Sequence, residues 1–327
     1  MNLVTGGGGF LGAHLISLLL AEGQDVRVLE KPGACLDHLP IDRIDVVEAD
    51  IRDATAVRPT VRGCDRVYHL AADPNLWHRD RRSFDAVNHQ GTVNVMRAAV
   101  DAGITEILYT STESILAPPP SKENAHNRLD LDESDMPGPY CVSKFRAERA
   151  VHAMVADGAQ IVIVTPTLPV GPGDWKRTPP TRMTVAFCRG EMPAFLECRL
   201  NFMDARDVAW GMVLAMEKGR KGARYVLGDT NLYLSEWLRL VGEEVGRAVP
   251  RWRVPYAVAL GTAYISEFWA DYISHSMPMA TVTGVRLTRR NMFFDTAPDL
   301  AELGLQPRCI RESVRDSIAW YRAQGWL

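Results

Sequence analysis

The sequence lacks the features that mark several large functional classes. Its six cysteines, Cys35, Cys64, Cys141, Cys188, Cys198 and Cys309, include no C-x-x-C pair. A zinc ribbon, a thioredoxin-like redox pair and a disulfide scaffold are therefore unsupported, and no metal centre is expected. Lysine plus arginine (37) nearly balance aspartate plus glutamate (40), the net charge is −3, and no long basic block occurs. Nucleic-acid binding thus has no electrostatic footprint. No apolar run reaches the roughly 18 residues that a membrane span needs. The richest stretch, Tyr256 to Trp269, is interrupted by Glu267 and reads as a packed helix. No internal repeat is evident. The first strand begins at the initiator methionine, where a signal peptide would otherwise stand. The expectation is a cytoplasmic protein with reduced, mostly structural thiols.

What is present is enough for a sizeable enzyme. The chain has 327 residues, of which 46% are hydrophobic and 24% charged, room for one large α/β domain and a smaller lobe. Its first dozen residues carry the sharpest signal. A short apolar strand runs into Thr5-Gly6-x-x-Gly9-x-x-Gly12, and a helical segment follows at once. Gly6 permits a tight turn, Gly9 lets the backbone approach a pyrophosphate, and Gly12 lets the helix pack closely. The helix N-terminus then faces phosphate groups. A second strand, Val26 to Leu29, ends in Glu30, at the distance where an acid holds the adenosine ribose. A carboxylate there repels a 2′-phosphate and favours NAD. Lys31, next to it, would receive that phosphate, so NADP stays open.

Strand-like and helix-like segments alternate through the first half, the pattern of a doubly wound parallel sheet. Strands are expected at 3–4, 26–29, 45–48, 66–70, 106–110 and 160–165. Helices are expected between them, for example at 92–102 and 144–156. A proline-rich stretch from Pro118 to Pro139 reads as a long loop of the kind that serves as a lid or binding loop. After Thr165 prolines punctuate an irregular segment, and helical patterns return at 234–245 and 310–324. The fold expected is a Rossmann-type doubly wound parallel α/β sheet with a smaller C-terminal α/β substrate lobe. Residues 1–170 form the dinucleotide domain, with a return segment around 202–227. Residues 171–201 and 228–327 form the lobe.

The candidate chemistry lies in Tyr140-x-x-x-Lys144, with Ser111 and Thr112 at the end of an earlier strand. Positions i and i+4 share a helix face, so phenol and ammonium point into one site. A nearby cation favours the phenolate and brings a tyrosine into working range. Thr112 would donate a hydrogen bond to a substrate oxygen. These are the parts that carbonyl reduction requires.

Further motifs appear in order: Asp50-Ile-Arg-Asp53, His69-Leu-Ala-Ala72, Asn88-x-x-Gly91-Thr-x-Asn94, Thr110-Ser-Thr112 and Tyr140-Cys-Val-Ser-Lys144. With the glycine loop they make the chain resemble an extended short-chain dehydrogenase/reductase of the NAD-dependent epimerase/dehydratase superfamily, over essentially its whole length. The resemblance implies that Asp50 and Ile51 flank the adenine and that Leu70, Ala71 and Ala72 line the cofactor groove. Phe10 and Leu11 in the glycine loop, and Pro166 after the sixth strand, join this set with Tyr140 and Lys144. Thr112, Tyr140 and Lys144 would be catalytic. Asn88 would shape the site through a proton relay, or else act only as a buried amide. The resemblance also implies a homodimer.

Finer features point to a branch. The run Thr112-Glu113-Ser114 lacks the second acid of sugar-nucleotide dehydratases. In Thr165-Pro-Thr-Leu-Pro-Val-Gly171-Pro172, Leu168 stands where epimerases place an asparagine. The segment is similar to the dihydroflavonol-4-reductase-like branch. Leu76-Trp77, the stretch Gly138 to Arg149, Gly171-Pro-x-Asp174 and Arg289-x-x-Met-Phe-Phe294 resemble the hopanoid-associated sugar epimerase group. The expected activity is an oxidoreductase interconverting a ketone or aldehyde and an alcohol on an apolar-bodied small molecule. A nucleotide-sugar epimerase holding NAD tightly is the first alternative, and a non-catalytic cofactor-binding protein the second.

Other residues have plainer expectations. Asp207 should cap a helix, and His69 should be backbone-bonded near the cofactor. Trp77, Trp175 and Trp210 divide between core packing and contact with a greasy substrate. Lys176, Arg177 and Arg182 read as an exposed loop or as contacts to an anionic group. Arg79 to Arg82 reads as a solvated loop, with a phosphate-facing lid as the alternative.

Overall fold

Apolar residues facing both sides of a strand demand cover on both sheet faces, and that demand organises the dinucleotide half of the chain. The computed structural model describes residues 1–118 and 131–327; the centre of the proline-rich loop, 119–130, lies outside them. Strands β1 (Asn2–Thr5), β2 (Val26–Glu30), β3 (Asp45–Glu48), β4 (Arg66–His69), β5 (Glu106–Thr110) and β6 (Ile161–Pro166) match the expected positions closely. Strands β7 (Leu168–Val170), β8 (Ala194–Phe195), β9 (Arg199–Asp204), β10 (Arg224–Leu227), β11 (Thr230–Tyr233) and β12 (Trp252–Arg253) follow.

The large sheet runs β10-β6-β5-β4-β1-β2-β3 and all its pairings are parallel. Successive residues serve opposite faces. Val4 and Tyr68 pack with Leu15 and Leu19 of the Phe10–Ala21 helix and Met212 of the Ala205–Lys218 helix. Leu3 and Val67, their chain neighbours, pack with Met96 of the Thr92–Asp101 helix and Val151 of the Pro139–Ala156 helix. The chain leaves β1 toward β2 on one side and returns to β4 on the other. The carboxyl ends of β1 and β4 therefore border the crevice where such folds hold ligands.

A second sheet, β11-β9-β7, supports the lobe. The Leu234–Val245 and Ile310–Ala323 helices pack Trp237, Leu238, Val314 and Ile318 against Phe202 of β9. The rings of Phe202 and Trp237 stack at 4.3 Å.

Four expectations are corrected here. The proline-punctuated segment is not wholly irregular, since β7 contains Pro169. As an edge strand it tolerates the missing donor. The return to the large sheet begins at Ala205, a few residues later than expected. Phe202 belongs to the lobe sheet, whereas the Ala205–Lys218 helix packs beside the Phe10–Ala21 helix and β10 pairs with β6. Asp204 caps that helix by accepting from the Arg206 N–H, whereas Asp207 lies inside the first turn and takes the Arg308 guanidinium at 2.8 and 3.0 Å. The Tyr256–Trp269 helix forms as expected but is not packed as expected, because only Ala263 of it is buried. No helix among the described residues is long and apolar enough to cross a membrane.

Trp237 is nearly fully buried in the lobe core. Trp237→Ala is expected to lower stability by about 3–5 kcal/mol, read as a reduced urea midpoint. A loss below about 1 kcal/mol would mean that the lobe does not rest on this stack.

Candidate active site

The glycine loop is built for close approach. Gly6 has φ +72°, and a Cβ there would lie 2.7 Å from the Ala71 Cα. The turn after β1 thus passes directly against Leu70, Ala71 and Ala72 after β4, and the Ala71 N–H donates to the Thr5 hydroxyl at 3.1 Å. A Cβ on Gly12 would meet the Gly6 carbonyl oxygen at 2.5 Å, so Gly12 lets the helix approach the loop itself. Gly9 is the helix N-cap and supplies no side-chain cap. The first-turn N–H groups of Phe10, Leu11 and Gly12 therefore lack a cap from this residue and suit an anionic group.

The surrounding candidates gather at the same sheet edge. Glu30, at the end of β2, is buried and accepts from the Gly8 N–H at 2.9 Å, while Lys31 is exposed. Asp50 follows β3, where the Arg52 guanidinium holds its carboxyl below the usual range. Ile51 packs onto Gly91, where any Cβ would come within 2.7 Å of its side chain. Pro166 closes β6 opposite Leu227. The glycine cradle, the uncapped helix end and the buried acid fit a dinucleotide.

His69 departs from expectation. Its ring nitrogens meet the hydroxyls of Thr5 at 2.7 Å and Thr92 at 2.9 Å rather than the backbone, and burial pushes its pKa down to about 3. It is a neutral fastener between β1, β4 and the neighbouring helix.

The Thr112 hydroxyl meets the Tyr140 phenol, while Lys144, one turn further along the same helix, reaches the end of β5. The Pro139–Ala156 helix starts with Pro139 after Gly138, a good N-terminal arrangement because proline needs no donor there. Gly138 makes room for the Thr283 side chain, which packs where a Cβ would stand. One turn into this helix, the Lys144 ammonium donates to the Thr110 carbonyl at 2.8 Å and sits 4.9 Å from the Tyr109 ring centre. Burial pulls its pKa down to about 8. Tyr140 is raised, chiefly by burial, while its hydrogen bond with Thr112 pulls the other way. The expected lowering by Lys144 is not what dominates in the protein alone. The phenol is held protonated.

Asn88 lies in a π-helical segment, Asp85–Gly91, a kind of distortion common at functional sites. Its side chain is fully engaged: Oδ1 accepts from the Asp73 N–H at 2.7 Å, and Nδ2 donates to the Asp73 carbonyl and the Ser143 hydroxyl. Ser143 in turn donates to the Tyr140 carbonyl at 2.7 Å. This geometry makes Asn88 a tie between the loop after β4 and the Tyr140 helix. Sequence reasoning missed Glu113. Its carboxyl accepts from the Thr112 hydroxyl at 3.3 Å, and burial pushes its pKa up to about 7. The signal lies in Thr112-Glu113-Ser114, where the acid that is present matters as much as the one that is missing.

The tryptophans and basic residues separate. Trp77 is buried and its indole N–H donates to Asp271 at 3.1 Å. Trp175 and Trp210 are exposed, and Trp175 packs edge-on to Trp320. Lys176, Arg177 and Arg182 are exposed. Arg81 is not a solvated loop residue, for it pairs with Glu267 and with Asp271 at 3.0 Å.

The sequence profile of the NAD dependent epimerase/dehydratase family matches residues 2–228. The chain belongs to this family. Members are NAD-dependent enzymes, and the extended short-chain dehydrogenase/reductase fold agrees with the parallel sheet described above. A Synechocystis sp. protein provisionally named dihydroflavonol 4-reductase is 33% identical, covering 99% of this chain and 95% of its own. Sterol demethylase protein B of Methylococcus capsulatus is 30% identical, covering 100% and 99%. The crystal structure of gox2253 superposes with a TM-score of 0.87 at 32% identity, covering 100% and 99%.

For this family member, Gly12→Ala would force a Cβ against the Gly6 and Gly7 backbone. NADH affinity measured by fluorescence titration is expected to fall more than about tenfold, a change of about 1.4 kcal/mol. Unchanged affinity would show that the loop does not hold the cofactor.

Proposed function

We propose that this protein is an NAD(P)(H)-dependent oxidoreductase interconverting a ketone or aldehyde and an alcohol on a small, apolar-bodied substrate, lipid-like or polycyclic. The observation that carries this reading is the hydrogen bond between Thr112 and Tyr140, with Lys144 one turn further along the same helix and tied to the Thr110 carbonyl at the end of β5. A bound nicotinamide supplies or accepts the hydride. Tyr140, kept protonated by burial, gives its proton to the developing alkoxide. Thr112 donates to the same oxygen and orients it. Lys144, anchored on the Thr110 carbonyl one helical turn from Tyr140, would supply the positive charge that favours the phenolate that remains. Asn88 positions the Tyr140 helix through Ser143. Glu30, tied to the glycine loop, favours NAD over NADP.

An apolar substrate is supported by the surroundings of Tyr140. Ile115, Leu116, Met136 and Phe294 form a buried apolar cluster against which it packs, and Phe84 meets its ring edge-on. Leu168 packs into the lobe core and offers no amide to a diphosphate. The names of two relatives, a dihydroflavonol reductase and a sterol demethylase component, point the same way.

Oxidation of NADH and NADPH should be followed with a panel of ketones, aldehydes and UDP-sugars. Consumption with apolar carbonyl compounds, NADH preferred, is the expected result. Tyr140→Phe should lower kcat by about 10²–10⁴-fold while NADH still binds. Tightly retained NAD with sugar interconversion and no net consumption would replace this reading with an epimerase.

Glu113 adds a pH dependence. As pH rises through about 7 it loses its proton, and the new carboxylate opposes charge growing on the oxygen beside Thr112. Reduction should therefore decline through about 7, and again through about 8 as Lys144 is deprotonated. Glu113→Gln should keep only the second decline in the kcat profile. Persistence of the first would assign it to another group.

A further inference from the structure

The Tyr256–Trp269 helix and the turn Ala270–Ser274 that continues it are assembled the reverse way to an ordinary surface helix. A surface helix turns its i, i+3, i+4, i+7 apolar stripe to the core and its charges to water. Here Ile265, Phe268, Trp269 and Tyr272 have that spacing and face outward, with Ile265 72% and Tyr272 71% exposed. Met279, in the following loop, is 86% exposed. The two acids of the segment, Glu267 and Asp271, turn inward. Glu267 accepts from the Val282 N–H at 2.7 Å, and Asp271 takes Trp77 and Arg81. So large a contiguous apolar face marks an interaction surface.

Charge decides among occupants. The rim of this face carries the exposed Arg286 and Arg289. Arg286 donates to the Tyr264 hydroxyl, and Arg289 lies over the Tyr256 ring. Both acids of the helix are occupied on the other side. A second copy joined by two-fold symmetry would set these arginines against the same arginines, with no acid of the helix on that face to meet them. Amphipathic aromatics flanked by arginine instead match the headgroup boundary of an anionic bilayer.

We propose that this face is an interfacial docking surface that seats the protein on an anionic lipid bilayer. The helix lies in the membrane plane and does not span it. The same segment is bolted to the active-site rim. Trp77 and Arg81 connect it to the loop before Phe84, and the adjoining Val282–Leu287 helix packs Thr283 on Gly138 and sends Arg286 to the Pro137 carbonyl. Pro137 and Gly138, immediately before Tyr140, therefore border the docked face, the side from which an apolar substrate dissolved in the bilayer would approach. The docking itself does not depend on the oxidoreductase reading.

Flotation of the full-length protein with vesicles of phosphatidylcholine plus phosphatidylglycerol, and of phosphatidylcholine alone, tests this directly. Binding to the anionic vesicles is expected, weakened by salt. The triple variant Ile265→Ser, Phe268→Ser, Tyr272→Ser should lose more than about tenfold in partitioning with its melting temperature retained. Quenching by brominated lipid should fall in Trp269→Phe, a second readout that does not depend on the triple variant folding. No flotation of the wild type, or flotation undiminished in a folded triple variant, would overturn the proposal. So would a dimer by light scattering that the triple variant splits without any vesicle binding, since the face would then lie between copies.

Discussion

The site depends on keeping a cation where water has been removed. Lys144 is 3% exposed, and burying an ammonium is unfavourable unless its charge is answered. The answer comes from the Thr110 carbonyl and the Tyr109 ring on one side, and from Glu148, one turn along the same helix face, on the other. Burial alone would raise Glu148, but His152 and Arg224 of β10 outweigh it and keep the carboxyl below its usual range. Lys144 and Glu148 at i and i+4, with Arg224 of β10, form a network of buried charge that locks the helix to the sheet. Breaking one member would leave the others unpaired, the expensive outcome for buried charges.

That locked helix gives the remaining parts a fixed reference. Its first turn is held from outside by Thr283 on Gly138, and from the dinucleotide side by Asn88 through Ser143. Tyr140 thus sits at a junction of the sheet, the π-helical segment and the C-terminal helices. Burial at such a junction explains why the phenol is raised. Few polar groups reach it apart from Thr112 and Glu113. The protonated phenol lies beside a carboxyl titrating near 7.

Much of this arrangement is legible in the amino-acid sequence. Periodicity and strand composition locate β1 to β6 to within a residue or two, because the strands inside the exposed edge strand β3 must serve two apolar faces. The glycine loop is legible because its spacing has a steric reason at each position. What stays hidden depends on partners distant in the chain. Asp204 and Asp207 both stand at the start of a helical pattern, and only Arg308, a hundred residues on, shows which one is spoken for. His69 reads as an ordinary strand-end histidine until Thr5 and Thr92 close on it. The acidity of Tyr140 depends on what excludes water from it, which no local pattern encodes.

The Tyr256–Trp269 helix makes the limit sharpest. Hydrophobic spacing reports which side chains avoid water, and it suggests packing because the interior of the fold is the usual refuge. The same spacing is equally satisfied by a surface outside the molecule. Deciding between the two requires the positions of charges: Glu267 and Asp271 drawn inward to Arg81, and arginines left at the outer rim. A helix that spends its acids on anchoring itself can present an uncharged face outward. The cost of exposing that face is recovered only when something apolar covers it. The contact with Trp77 and Arg81 then has two consequences at once, holding the face outward and coupling whatever covers it to the loop beside Tyr140.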